Sequence, residues 1–246
     1  MSEARPIGEN DILFEDNHLI IVNKKPGEII QGDKTGDKPI SEKLKDFLKD
    51  KYNKPGNVFI GVVHRVDRPV SGAVIFAKTS KGLARMNELI KQRDIRKIYW
   101  ALVEDQPRES AGLLVHHLKK NQKKNKSFAV DEQTKGALRA ELEYRFVAAS
   151  NNYSLLEVEL LTGRHHQIRA QLSAIGSPIK GDVKYGFKRL NKDGGMIHLH
   201  ARYLEFTHPV KKEPVKVIAP TPPDKLWDVF DDIMKLREGE ALPGDS

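Results

Sequence analysis

The stretch VHRVDRPVSGAVIFAK, residues 63–78, places one carboxylate between two apolar runs. The apolar residues before it (58–63) and after it (73–77) predict two buried strands by their length and β-branched content. Asp67 lies in the connection between these strands, where a short loop on a rigid scaffold is a suitable mount for a reactive group. The flanking Arg65 and Arg68 favour its ionised form. Asp67 is therefore a candidate catalytic carboxylate, while the same pattern also suits an aspartate that binds backbone amides in a turn.

The sequence around this stretch predicts many strands and few helices. Helices are predicted from Ser41 as N-cap, from Thr79 or Ser80, over a segment that ends at Gly176, and around residues 226–233. This balance favours an α+β fold with a largely antiparallel sheet. The predicted strands are residues 12–15, 19–22, 95–103, 138–147, 155–161, 197–206 and 215–219.

Length and composition limit the classes of protein. The 246 residues suffice for one large domain or two small ones, and the absence of cysteine excludes disulfides and thiolate metal sites. The N-terminus lacks the apolar core of a signal peptide, and no apolar run is long enough to cross a bilayer. A soluble cytoplasmic protein without a membrane partner is expected. Lys and Arg exceed Asp and Glu by 42 to 34, which suits a polyanionic partner.

A cluster of lysines between residues 119 and 126 predicts a solvated loop or hairpin tip, because five ammonium groups in eight residues cannot pack together. Contact with RNA phosphates is one interpretation of this cluster, and a merely soluble loop is the other. The candidate RNA-backbone contacts are Lys119, Lys120, Lys123, Lys124 and Lys126.

The stretch around Asp67 closely resembles the His-Arg-Leu-Asp-x-x-Thr-Ser-Gly signature of the RluA-like pseudouridine synthase family. Residues 96–103, 162–169 and 176–186 resemble the same family in the same order, and residues 199–209 look like its closing strand. The resemblance covers about residues 11–220. It implies a pseudouridine-synthase-like α+β fold whose central, largely antiparallel mixed sheet forms two halves flanked by a few helices.

The resemblance also implies an activity, the isomerisation of a uridine in RNA to pseudouridine. It assigns catalytic roles to Asp67, to Tyr99, which would stack on the target base and take part in proton transfer, and to Arg169, whose guanidinium would pair with the aspartate. From the strand pattern alone, Tyr99 is a half-buried core residue whose hydroxyl finds a partner, as tyrosines in strands usually are. The reaction has no redox step and no net hydrolysis, so no cofactor is expected.

Binding of the substrate is expected to require base flipping, because a stacked uridine cannot reach a carboxylate in a pocket. Arg65 resembles the family arginine that fills the vacated space or holds the flipped nucleotide. His64 is a weaker candidate with a structural alternative. Ile197 and Leu199 are candidate walls of the base pocket, although apolar strand residues are core by default.

Cations at the start of the third predicted helix give a further candidate site. Arg164, with His165 and His166, is placed in the first turn, where positive charge opposes the helix dipole and calls for a nearby anion such as Asp67 or an RNA phosphate. Two positions depart from the family pattern. Val70 stands where threonine is usual, and His165 where threonine or serine is usual.

The predicted domain is residues 11–236, between flexible tails at 1–10 and 237–246. The N-terminal segment is too short for the small extra RNA-binding domain of many relatives. Substrate selection would then depend on the catalytic domain or on loops such as residues 119–126. The expected partner is transfer RNA or large-subunit ribosomal RNA rather than DNA, and a monomer is expected.

Two rival functions are compatible with parts of the sequence. In a metal-dependent hydrolase, His198 and His200 would share a strand face, and His165 and His166 would complete the site, although these two adjacent side chains are expected to point apart. In a non-catalytic RNA-binding protein, the basic loops would give affinity without chemistry.

Overall fold

The computed structural model describes residues 5–33, 35–191 and 195–240. The fold is α+β, as the sequence predicts, with a mixed sheet and four α-helices in these ranges. The chain divides into two compact units. The first contains residues 1–97 and 201–220, and the second contains residues 98–200 and 221–246.

The first unit is built on β-strands. They are β1 (Ile12–Glu15), β2 (Leu19–Lys24), β3 (Gly61–Val62), β4 (Ser71–Ala77), β10 (Leu199–Thr207), most of which belongs to this unit, and β11 (Pro214–Ile218). The strand order is β1-β2-β4-β10, with β3 on β4 and β11 on β10. Strand β4 is buried along its whole length, as its continuous apolar sequence predicts.

Two helices cover the first unit, α1 (Ile40–Lys51) and α2 (Ser80–Gln92). The Thr79 hydroxyl accepts a hydrogen bond from the Gly82 N–H at 3.0 Å, which confirms Thr79 as the N-cap of α2. The predicted N-cap Ser41 is wrong. Pro39, whose backbone is extended, is the N-cap two residues earlier, so α1 begins at Ile40 and the buried Ser41 lies within its first turn.

The predicted strand 58–63 is largely wrong. Only Gly61 and Val62 form a strand there, which pairs with β4, and Phe59 is 44% exposed. An apolar run is therefore not sufficient for a strand, because the backbone N–H and C=O groups of a strand also need a neighbouring strand as hydrogen-bond partner.

The second unit is a five-stranded antiparallel array, β5-β9-β8-β6-β7, of long and regular strands. Its strands are β5 (Ile95–Val103), which begins in the first unit, β6 (Ala111–Asn121), β7 (Lys126–Val130), β8 (Leu138–Ala149) and β9 (Ser154–Leu160). Helix α3 (Gln167–Ala174) packs against β6 and β7. Helix α4 (Lys225–Glu240) buries Trp227 and Phe230 against Trp100, Leu102 and Leu155.

The predicted domain limits stay a prediction. Within the predicted N-terminal tail, Ile7 is buried and Arg5 donates two hydrogen bonds to the Asp11 carboxylate. At the other end, α4 continues to Glu240. Residues 1–4 and 241–246 of the predicted tails lie outside the described residues. In the described ranges, no helix combines the length and the apolar character needed to span a membrane.

Candidate active site

Asp67 occupies the first position of a tight turn at the entrance to β4. Its carbonyl oxygen accepts a hydrogen bond from the Val70 N–H at 3.0 Å, which closes the turn over residues 67–70. The Asp67 side chain is half-buried, and Val70 is buried. The Arg68 carbonyl accepts a hydrogen bond from the Gly27 N–H at 2.8 Å, so the segment after β2 is bonded to the turn. Asp67 thus lies in a connection between two strands, as the sequence predicts, although the strand before it, β3, has only two residues.

The buried side chain of Lys24 supports this turn through hydrogen bonds to its backbone. Lys24, the last residue of β2, is 1% exposed, and its ammonium donates to the carbonyls of Lys25 (3.1 Å), Arg68 (3.0 Å) and Val70 (2.5 Å). Three N–H donors therefore meet three carbonyl oxygens. Burial lowers the pKa of Lys24 to about 7, against the attraction of the Glu28 and Asp67 carboxylates. No sequence pattern points to this role, because two of the carbonyl partners lie far along the chain.

His64 has a structural role in the first unit. Its Nε2 accepts a hydrogen bond from the Ile75 N–H at 3.1 Å, which ties the segment before Asp67 to β4. Burial, together with the nearby Lys97, lowers the pKa of His64 to about 3, so the ring is neutral. Arg65 is exposed. Its predicted role stays a prediction, and so does a contact of His64 with the substrate.

Arg169 lies in α3 of the second unit and is held by a carboxylate that the sequence reasoning missed. Its Nε donates to Asp182 Oδ2 at 2.7 Å and its Nη2 to Asp182 Oδ1 at 2.9 Å. The side chains are 6% and 1% exposed. This forked pair fixes the plane of the guanidinium. The pairing of Arg169 with Asp67 stays a prediction.

The segment before α3 differs from the prediction. Helix α3 begins at Gln167, so Arg164 and His165 precede it rather than forming its first turn. The cause is the left-handed backbone of His166, with φ of 53°, which the helix cannot contain. The Arg164 carbonyl accepts from the Gln167 N–H, and Arg164 Nε donates to the Arg139 carbonyl at 2.9 Å. The argument from the helix dipole therefore does not apply to Arg164.

Three other predicted site residues are buried in the second unit. Tyr99, in β5, is 7% exposed, and it stands opposite Val158 of β9. Ile197 and Leu199 are 4% and 3% exposed. Their burial is compatible with a pocket wall and with plain core packing, so the assigned roles of all three stay predictions.

The five candidate lysines lie where β6 turns into β7, and we call residues 119–126 the lysine hairpin. The predicted hairpin tip is confirmed, and all of these lysines except the half-buried Lys126 are exposed. Lys184 joins them, because its Nζ donates to the Asn125 carbonyl at 3.2 Å. Lys184 lies 59 residues after Asn125 in the sequence, and only the fold brings it to this cluster.

Comparison with known proteins decides the family. The family model described as RNA pseudouridylate synthase matches residues 18–174. The chain belongs to this family. The match includes the turn of Asp67, strand β5 with Tyr99, and the turn of α3 that carries Arg169.

Curated relatives extend the match over most of this chain. An uncharacterised RNA pseudouridine synthase of Synechocystis sp. is 32% identical over 216 residues, which are 86% of this chain and 65% of that protein. The ribosomal large subunit pseudouridine synthase C of Haemophilus influenzae is 32% identical, over 85% of this chain and 64% of its own length. The ribosomal large subunit pseudouridine synthase D of Xylella fastidiosa is 30% identical, over 94% of this chain and 71% of its own length. The chain thus spans about two thirds of these relatives.

Solved structures show the same fold. Human RNA pseudouridylate synthase domain containing 4 superposes with a TM-score of 0.72 at 22% identity, covering 89% of this chain and 90% of that one. Human RNA pseudouridylate synthase domain containing 1 superposes with a TM-score of 0.68 at 25% identity, covering 92% of this chain and 90% of that one. The predicted pseudouridine-synthase-like fold is confirmed.

The histidines of the rival hydrolase hypothesis do not gather into a ligand set. His198 Nε2 lies 3.1 Å from Asp224 Oδ1, and the rings of His198 and His200 pack against Trp227 at centroid distances of 5.4 and 5.9 Å. His165 and His166 stack at 3.8 Å, so the expectation that they point apart is wrong. Across the described part of the chain, no three His, Asp or Glu side chains are placed to share a metal.

Proposed function

We propose that this synthase isomerises a specific uridine of structured RNA to pseudouridine, with Asp67 as the catalytic carboxylate. The observation that carries the proposal is the support of the Asp67 turn by the buried Lys24 ammonium, in a chain that belongs to the RNA pseudouridylate synthase family. Burial of an ammonium costs desolvation free energy that its hydrogen bonds must offset, so such a group is expected where a loop has to keep one geometry. Asp67 is the carboxylate presented by that loop.

The reaction needs one ionised carboxylate. The bond between uracil nitrogen 1 and the ribose breaks, the base turns, and carbon 5 forms the new bond. Nitrogen 1 gains a proton and carbon 5 loses one, so atoms balance without an oxidant, a reductant or a cofactor. The carboxylate of Asp67 suits attack on the ribose, attack on the base, or removal of a sugar proton. A glycosidase would instead present two carboxylates at a defined separation.

Other residues have assigned roles in this proposal. Tyr99 stacks on the uracil and takes part in proton transfer, and Arg169 supplies the guanidinium that pairs with the catalytic carboxylate. The ion pair with Asp182 supports the role of Arg169, because it fixes the guanidinium plane before substrate arrives.

The substrate must be delivered as a flipped nucleotide. The exposed Arg65 fills the space left in the RNA or holds the flipped nucleotide, while Ile197 and Leu199 form apolar walls for the base. His64 contributes to the site through the bond that it accepts from Ile75. Arg164 contacts the substrate RNA.

The lysine hairpin binds RNA phosphates in this proposal. Its exposed ammonium groups suit a sequence-independent, salt-sensitive contact. The substrate RNA is transfer RNA or large-subunit ribosomal RNA, and the names of the relatives from H. influenzae and X. fastidiosa favour the second. We propose a cytoplasmic monomer that needs no DNA, membrane or cofactor.

Tritium release tests the activity and the substrate class. RNA labelled at uracil carbon 5 loses its label only when that carbon becomes the glycosidic atom. Transfer RNA and ribosomal RNA transcripts are offered separately to the wild-type protein, and filter binding is measured on the same transcripts. Release from one class supports the proposal and names the substrate. Binding of both classes without release favours a non-catalytic RNA-binding protein, and stoichiometric zinc in the purified protein would favour the hydrolase.

A further inference from the structure

The lysine hairpin is fastened at its base through Ser127. This residue, 2% exposed, follows Lys126 in β7. Its N–H donates to the Tyr185 hydroxyl at 2.8 Å, and its Oγ lies 2.8 Å from His165 Nδ1. Both bonds connect the hairpin to residues that are far from it in sequence but belong to the same unit.

His165 reaches the tip of the hairpin as well as its base. Its Nε2 lies 3.2 Å from Asn125 Oδ1, and Asn125 holds a left-handed backbone with φ of 43°. A neutral imidazole with its hydrogen on Nε2 donates to Asn125 and accepts from the Ser127 hydroxyl. Both ring nitrogens therefore bind the hairpin, one at Ser127 and one at Asn125.

The His165 ring is itself held in place. It stacks on His166, and His166 Nδ1 lies 3.0 Å from the Tyr185 hydroxyl. Burial lowers the pKa of His166 to about 2, so the stack does not carry two positive charges. The Tyr185 ring lies 5.0 Å from the Arg169 guanidinium carbon and 4.7 Å from Lys126 Nζ, so the same cluster contacts the helix α3 arginine and the hairpin.

We infer that His165 is a positioning residue that locks the lysine hairpin against the segment before α3, so that RNA meets a preformed set of ammonium groups. A two-stranded hairpin is marginally stable alone, and repulsion among its lysines opposes order. Order that exists before binding lowers the entropy cost of association. The inference rests on the proposed binding of RNA by this hairpin.

The first test needs no RNA. Trypsin cleaves after the lysines of the hairpin, so limited digestion reports how often it opens. His165→Ala is expected to raise the cleavage rate within residues 119–126 at least about fivefold, since opening is favoured, while the urea midpoint for global unfolding changes little. His117→Ala is the matched control, because His117 lies in β6 and its side chain faces the exposed Glu132 at 3.7 Å. Equal cleavage of His165→Ala and wild type would overturn the inference.

The second test separates binding from chemistry. With the RNA that supports tritium release, His165→Ala is expected to raise KM about fivefold and leave kcat within about twofold, because the hairpin contributes preorganised binding rather than reacting groups. His165→Asn, whose Oδ1 takes the place of Nδ1 as acceptor for Ser127, should recover part of the loss. A fall in kcat at constant KM would contradict the inference. If the wild type releases no tritium, the proposed function fails, and the trypsin result still decides whether His165 fastens the hairpin.

Discussion

Arg169 and Asp182 form a buried, two-point ion pair, with Nε to Oδ2 at 2.7 Å and Nη2 to Oδ1 at 2.9 Å. Two parallel bonds between planar groups fix orientation as well as distance. Asp182, from the segment after α3, therefore decides how the Arg169 guanidinium is presented. A fixed orientation is what the role proposed for Arg169 requires.

Asp182→Asn should destabilise the protein strongly, because it keeps the shape of the side chain but removes its charge from a buried pair. The free energy of unfolding is expected to fall by about 3 kcal/mol. Urea unfolding followed by circular dichroism measures the change. Glu104→Gln is the control, since the Lys188–Glu104 pair is exposed and 3.6 Å long, and its loss should cost less than about 0.5 kcal/mol. Similar losses for both variants would contradict this view of Arg169.

Lys24→Met should loosen the Asp67 turn. Methionine fills a similar volume but leaves the Val70 carbonyl without its ammonium donor, which costs about 1–3 kcal/mol for an unsatisfied buried group, whereas the Arg68 carbonyl keeps the bond from the Gly27 N–H. The Val70 amide, which closes the turn on the Asp67 carbonyl, should then exchange its hydrogen faster relative to the core strands. Hydrogen exchange followed by NMR measures this.

The neighbouring residue supplies the control for Lys24. Lys25→Met removes the same charge, but Lys25 is 34% exposed and lies 3.6 Å from the Asp11 carboxylate. Its substitution should leave the protection of Val70 near the wild-type value. An unchanged Val70 exchange rate in Lys24→Met would show that the lysine does not hold the turn.

The local elements were predictable because their signals are local. Strand β5 (Ile95–Val103) has the bounds that its alternation predicts, and Thr79 caps α2 as a hydroxyl residue before an apolar helical repeat should. The lysine hairpin turns where the like charges are densest. In each case the deciding residues are neighbours in the sequence.

The remaining features depend on contacts between distant residues. Lys24 binds the carbonyl of Val70, 46 residues away, and Ser127 binds Tyr185, 58 residues away. Neither partner has a sequence pattern that points to the other. The helical spacing of the residues after His166 predicts a helix whose first turn contains residues 164–166, whereas the left-handed backbone of His166 makes α3 begin at Gln167. The resemblance to a family supplies the roles of site residues, which periodicity alone leaves undecided.

Acid should destabilise the protein through its neutral histidines. In the folded state, the pKa values of His64 and His166 are about 3 and about 2, below the ordinary value of 6.5. As the pH falls below 6.5, the unfolded chain binds protons that the folded chain does not, so the free energy of unfolding falls. Each histidine contributes a slope of up to about 1.4 kcal/mol per pH unit in that window, and nothing well above it.

His64→Gln isolates one of these contributions. Glutamine Oε1 takes the place of Nε2 as acceptor for the Ile75 N–H but does not titrate. Urea unfolding at several pH values between about 4.5 and 7.5 should therefore give a shallower slope for the variant by about one proton. Parallel curves for variant and wild type would show that His64 titrates normally in the folded protein.

Substitution of two hairpin lysines should reduce the salt dependence of RNA binding. Lys123→Gln with Lys124→Gln removes two exposed cations, and the slope of log K against log salt should fall by about 1 for each phosphate that the hairpin no longer binds. Lys81→Gln with Lys91→Gln changes the net charge equally on the exposed face of α2 and should leave the slope nearly unchanged. Equal slopes for the two double variants would mean that the hairpin acts only through net charge.

The role of Asp67 is tested most directly by tritium release from uracil carbon 5 under single-turnover conditions. Asp67→Asn keeps the size of the side chain and removes its charge, so release should become undetectable while RNA binding stays within about twofold of wild type. Asp46→Asn, an exposed change in α1, should release label at the wild-type rate. Release by Asp67→Asn at the wild-type rate would remove Asp67 from the chemistry.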